Sequence, residues 1–160
     1  MSLKRDLENQ IAGFDMIGAP SLMQRFVVRN ARGEFPGSPY PFTPGTPKQC
    51  FTNATKLADG SGLTYCEGFV WRVGIPLAIH HAWCMDGDRV VDPTLRDVTE
   101  EDRFLGVEFD MQTVRREILR TGVYGLLDNG RGVNHAFIFA RDPELRAIVE
   151  AIRPHSMFAL

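Results

Sequence analysis

His81-Ala82-Trp83-Cys84-Met85-Asp86-Gly87-Asp88-Arg89-Val90-Val91-Asp92-Pro93-Thr94 reads as a β-hairpin that lays a histidine beside a carboxylate. Asp86-Gly87 is a strong two-residue turn signal, because a type I′ turn needs positive φ at both central positions. With those two residues at the turn, Met85 pairs with Asp88 and His81 lies opposite Asp92. Opposed residues share a face of the sheet, with Cβ atoms ~4.5–5.5 Å apart. An imidazole held in this way has one ring nitrogen oriented by the carboxylate and the other free to move a proton. The alternative is a core histidine hydrogen-bonded to Asp92 for structure.

A candidate nucleophile precedes the hairpin. In Thr46-Pro47-Lys48-Gln49-Cys50-Phe51, Thr46 and Gln49 fit a capping box, with Pro47 at the first helical position. Phe51, Ala54, Leu57 and Ala58 continue at helical spacing, and Gly60 or Gly62 can end the helix. Cys50 therefore falls in the first turn, where the helix dipole and free N–H groups favour an anion. A sulfur at a helix N-terminus facing a histidine on a sheet is a layout for covalent acyl transfer. Cys66 and Cys84 read as small buried hydrophobes.

A cysteine on a helix, then His81-Ala82-Trp83, then Val91-Asp92-Pro93-Thr94 resembles the transglutaminase-like superfamily. That superfamily is a branch of the papain-like cysteine enzymes with chain order Cys, His, Asp. Gly74-Ile75-Pro76 is similar to a string common in these domains. The resemblance spans residues 48 to 95. It implies a thioester mechanism with Cys50 as nucleophile, His81 as base and acid, and Asp92 as orienter. It also implies a helix bearing the cysteine packed on an antiparallel sheet bearing the other two groups. One departure is Gln49, where the family more often has small residues before its cysteine.

Other residues compete for roles at this site. The backbone N–H of Cys50 is the first oxyanion donor. Gln49 is a candidate second, although the capping box claims the same side chain. Trp83 either walls the site or fills the core. A bend centred on Gly74 sets Glu67 opposite His81, as a second carboxylate or a substrate-binding group. His80 points to the face opposite His81 and reads as structural or exposed. His135 is the rival catalytic histidine. Val133 to Ala140 reads as a buried strand, and Asn134-His135-Ala136 is similar to the string around the histidine of papain-type proteases. Those enzymes need a later asparagine, and none follows Asn134.

The chain has 160 residues, 44% hydrophobic and 24% charged, which fits one globular domain. A net charge of -2 leaves no electrostatic footprint for nucleic acid. No apolar stretch approaches the ~18–20 residues of a membrane span, and no signal-peptide core stands out. Three cysteines, an odd number, favour reduced thiols and a cytoplasmic setting. Cys50, Cys66, Cys84 and His80 lack the close Cys pair of a zinc site, so no metal or cofactor is expected.

The remaining segments complete an α+β expectation with an antiparallel sheet. Residues 3 to 12 suit a helix, and Phe26-Val27-Val28 a strand. Gly33 to Pro47 is a Pro/Gly-rich stiff loop, with Tyr40 and Phe42 as contacts beside a cleft. Leu63 to Arg72 pairs with Leu77 to Met85. Thr99 to Asp102 resembles a capped helix start. Asp110 caps a helix to about Arg120, and a last amphipathic helix runs from Asp142 to Arg153. The expected function is a cysteine-dependent acyl-transfer enzyme acting on a peptide, protein side chain, small amide or ester. The alternative is a non-catalytic peptide- or protein-binding module on the same fold. Oligomeric state and the choice between hydrolysis and transfer are not written in these motifs.

Overall fold

A computed structural model describes residues 2–152. Among these residues the architecture is α+β, with six helices and one antiparallel five-stranded sheet. Helices α1 (Leu3–Met16) and α2 (Leu22–Asn30) come first, followed by β1 (Glu34–Pro36) and α3 (Cys50–Ser61). Strands β2 (Thr64–Trp71), β3 (Ile79–Asp86), β4 (Arg89–Val91) and β5 (Arg103–Phe109) follow. Helices α4 (Met111–Thr121), α5 (His135–Arg141) and α6 (Glu144–Ile152) close the described chain; Arg153 lies outside it. The spatial order β1-β5-β2-β3-β4 brings the two edge strands into contact, so the sheet is nearly closed.

Strand alternation sends the sheet's side chains into two compartments. Tyr65, Phe69, Ala82, Cys84, Leu105 and Phe109 pack under the helices with Leu7, Phe26, Val27 and Ala54. Cys66, Val70, Trp83, Met85, Val90 and Phe104 fill the other face, capped by Val98, Phe35 and Leu95. Trp83 has room because Gly106 sits below it. A Cβ on Gly106 would lie 2.6 Å from the indole and 2.9 Å from Cys66 Sγ.

Several elements differ from the sequence expectation. Phe26-Val27-Val28 belongs to helix α2, where Leu22, Phe26 and Val27 are buried at helical spacing. Packing of that stripe overrides the β preference of two valines. Thr99 to Asp102 starts no helix. The Asp102 carboxylate accepts the Thr99 N–H at 2.9 Å, closing a turn that launches β5. That strand is apolar on both faces because helices cover one side and the closed interior the other. Val133 to Ala140 is not a strand. Asn134 caps α5, with its side chain accepting from Phe137 N–H, and Phe137 and Ile138 are the buried pair. A short run rich in aromatic and branched residues fits either structure until its neighbours decide. The expected start and end of α4 are observed. Asp110 caps α4 by accepting from Thr113 N–H, and Gly122 ends it at φ 75°.

The hairpin turn is also displaced by one residue. Asp86 pairs with Arg89 and Cys84 with Val91, so Gly87-Asp88 occupies the turn. Gly87 has φ 60° while Asp88 stays out of the positive region, the type II′ pattern with glycine first.

Gly106→Ala is expected to lower stability by about 1–3 kcal/mol, the range for overpacking a filled interior. Gly60→Ala in α3 meets nothing within 4 Å and should stabilise by ~0.5–1 kcal/mol. Urea unfolding of both variants measures the contrast; equal effects would contradict the packing around Trp83.

Candidate functional site

Helix α3 begins at Cys50, with Gln49 as its N-cap and no side-chain cap bond. The expected Thr46–Gln49 capping box does not form. Lys48 adopts φ 64° and turns the chain into the helix, where a helical Pro47–Lys48 run was expected. The first backbone bond of the helix is Asn53 N–H to Gln49 O at 2.8 Å. The N–H groups of Cys50, Phe51 and Thr52 therefore have no acceptor within the helix, and the Gln49 side chain is exposed and free of capping.

The β3–β4 ladder stops at Cys84–Val91, so β3 has no β4 partner alongside His81. Asp92 fills that gap. Its Oδ2 lies 2.7 Å from His81 Nε2, and its Oδ1 accepts the N–H of Thr94 at 2.8 Å and of Leu95 at 3.1 Å. Displacing the turn by one residue shifts the pairing by two, so Asp92 is no longer directly opposite His81, but side-chain parity is preserved and the two still meet. Asp92 is 0% and His81 3% exposed. The Trp83 ring stacks on the imidazole at 6.2 Å and 16°, with its N–H directed to Met85 Sδ. Trp83 thus supports His81 as part of the interior.

With Nε2 held by Asp92, the other ring nitrogen remains for the sulfur. Burial lowers the affinity of His81 for a proton. The hydrogen bond to Asp92 and the nearby Cys50 side chain outweigh it and hold the value at about 9. Cys50, the first residue of α3, keeps 9% exposure, against 3% for His81. The other thiols are unsuited to attack. Burial pushes Cys66 well above the thiol range and Cys84 up to about 12, and Cys84 Sγ is held against Ala54 O.

Three bonds tie together the cysteine helix, the loop before it and the aspartate segment, and no sequence spacing announced them. Asn53 Nδ2 donates to Thr94 Oγ1 at 3.0 Å and to Thr46 O at 2.8 Å. Gly45 N–H donates to Pro93 O at 2.6 Å. A Cβ on Gly45 would strike Asn53 at 2.6 Å. A polar residue three positions after Cys50, on the same helical side, was the only available hint.

Glu67 is not opposite His81. The ladder pairs Glu67 with Ala82 and Gly68 with His81, one residue away from the expected register. A shift of one flips every side chain, so Glu67 meets His80 at 3.0 Å on the helix-covered face. There it also accepts Tyr65 O–H at 3.0 Å and the N–H groups of Leu126 and Leu127 at 2.7 and 2.9 Å. His80 packs against Phe51 and Phe69 and is structural. His135 is exposed at the start of α5, with Nδ1 on Val133 O.

The geometry thus bonds His81 to Asp92, places Cys50 and Gln49 at the start of α3, and leaves Glu67 and His135 elsewhere. Comparison with protein-family models, characterised proteins and solved structures returns no match. Among the described residues no helix is long and apolar enough to cross a membrane, and no group of three His, Cys, Asp or Glu side chains is arranged to hold a metal.

The raised proton affinity of His81 has a consequence for stability. Folded His81 binds a proton up to about pH 9, whereas an unfolded histidine releases it near ~6.5. The resulting stabilisation is complete below about pH 6.5 and is lost as pH rises through about 9. Melting temperature should fall over that window by ~2–4 °C per kcal/mol lost, and the His81→Gln curve should be flatter. Parallel curves from calorimetry would contradict the buried cationic imidazole.

Proposed function

We propose that this protein is a cysteine-dependent acyl-transfer enzyme with a papain- or transglutaminase-like catalytic core. The observation that carries the reading is His81 bonded to buried Asp92 at 2.7 Å, with the Cys50 side chain at the first position of α3 close enough to raise the ring's proton affinity. Structural histidines need one partner. A sulfur close by at a helix N-terminus is what nucleophilic catalysis requires.

The steps follow from the atoms. Before substrate arrives the Cys50 proton has passed to the imidazole, which retains it up to about pH 9, and the sulfur of the resulting thiolate–imidazolium pair attacks the carbonyl carbon of an amide or ester. The oxyanion meets the Cys50 backbone N–H and, as a second donor, the uncommitted Gln49 amide. The imidazolium, stabilised by Asp92, protonates the departing amine or alcohol as the C–N or C–O bond breaks. Water or an amine then attacks the thioester, giving its proton to His81, and the C–S bond breaks to restore the thiolate–imidazolium pair. Asp92 stays ionised and holds the ring's orientation. No cofactor enters these steps. Access of water or amine to the thioester decides hydrolysis or transfer.

Iodoacetamide followed by peptide mapping should label Cys50 and leave Cys66 and Cys84 unmodified in the folded protein. His81→Ala should slow Cys50 alkylation near pH 6 by about ten-fold or more, in keeping with the ~10²–10⁴-fold worth of a positioned acid–base group. His135→Ala should leave it unchanged. Loss of reactivity in His135→Ala with His81→Ala intact would overturn the assignment. So would equal labelling of all three thiols.

A further inference from the structure

The span from Gly37 to Gly45 is pinned at both ends. Gly37 N–H donates to Asp102 O at 2.9 Å, and a Cβ there would meet Thr99 O at 2.4 Å. Gly45 is held by Pro93 O and packed on Asn53. Between these staples the chain bridges residues 95–98 and leaves a groove of about 470 Å3, within the usual range for ligand sites. Tyr40, Phe42, Leu95 and Val98 supply apolar walls, with Arg96 and Asp97 among its polar lining residues. Tyr40 and Phe42 meet edge-to-face at 5.6 Å, yet Phe42 remains 71% exposed. That is a large aromatic surface left without cover.

The groove adjoins the candidate site at two points. Pro44 lines it, and the next residue, Gly45, is bonded to Pro93 O and packed on Asn53 of α3. Leu95, which lines it, donates its backbone N–H to the same Asp92 that holds His81. Asp97 and Lys48 are the only non-glycine residues at positive φ among those described. Such strain concentrates where geometry is used. Lys48 stands two residues before the nucleophile, and Asp97 lines this groove.

In acyl transfer the acyl carbon rests on the sulfur, and the departing or attacking group rests on the histidine side. We infer that the Tyr40–Phe42 groove binds the leaving group and the attacking amine, and selects those with an aromatic or large apolar side chain. This rests on the acyl-transfer reading. Tyr40 and Phe42 are then specificity-determining residues. The side chain of the incoming amine lies along them, while its nitrogen reaches the thioester beside His81.

The test uses p-nitrophenyl acetate, from which Cys50 takes the acetyl group as p-nitrophenolate departs. Phenylalaninamide or glycinamide is then added at equal concentration. The amine nitrogen bonds the acetyl carbon, the C–S bond breaks, and the amine's proton passes to His81. Rates are normalised to those of the same amines on the acetyl thioester of glutathione. Phenylalaninamide should resolve the acyl-enzyme about ten-fold faster or more, the discrimination one apolar side chain supports. Phe42→Ala and Tyr40→Ala should each bring the ratio toward one. Leu119→Ala, an exposed apolar change on α4 (86% exposed), should keep it. An acetyl adduct at Cys50 with a wild-type ratio near one overturns the groove assignment alone. So does a ratio that both groove variants preserve. Absence of any adduct at Cys50 overturns the acyl-transfer reading, and the groove assignment with it.

Discussion

The buried carboxylate of Asp92 is the hub on which the site depends. An ionised group with no exposure to water survives only if its lone pairs are met. Here two backbone N–H groups meet one oxygen and the imidazole meets the other. The first pair fixes how the chain leaves β4, since Thr94 and Leu95 must fold back over Asp92. The second fixes the ring. With Nε2 committed, the remaining nitrogen can face only the sulfur side. A change such as Asp92→Ala would strand His81 in the interior, and removing one partner from a buried pair costs ~3–5 kcal/mol. Orientation of the ring and integrity of the fold are thus the same interaction.

Closure of the sheet makes this arrangement possible. An open sheet would leave the face that carries Trp83 and Phe104 in water. Contact between β1 and β4 turns that face into an interior, and His81 sits in it with its ring on Trp83. The imidazole gains burial, hence strong coupling to its partners, while β4 is short enough to leave a gap where Asp92 and Cys50 reach it. The helix carrying Cys50 packs on the other face, through Ala54 and Ala58. Its first residue must therefore lie at the sheet's free edge to contact His81.

What could be read in advance follows from which interactions are local. A cap such as Asp110 with Thr113, or a C-terminal glycine such as Gly122, involves a few adjacent residues and was legible. The pairing of β2 with β3 was legible too, but its register was not. Arg72, Val73, Gly74 and Ile75 form the bend through Ile75 N–H and Arg72 O, and the centre of such a bend is ambiguous by one residue. That single step decided whether Glu67 or Gly68 faces His81. At the β4 hairpin the error shifted the pairing by two residues, an even step that keeps each side chain on its face, so the His81–Asp92 contact was foreseen from a wrong turn. β5 and α5 depend on what covers them, and Asn53–Thr94 joins residues forty-one apart. No periodicity carries such information.

The consecutive histidines show how the two faces are kept distinct. His80 and His81 alternate across β3, and each ends on a buried carboxylate: Glu67 under the helices and Asp92 in the interior. A slip of β3 by one residue would exchange them. His80 would then leave Glu67, and the N–H groups of Leu126 and Leu127 would share an acceptor lacking its histidine. His81 would leave Asp92. Each pair therefore penalises the misregister that the other would suffer. Glu67 thus supports the candidate site from the opposite face, by making the register that sets His81 on Asp92 the one in which both carboxylates are satisfied.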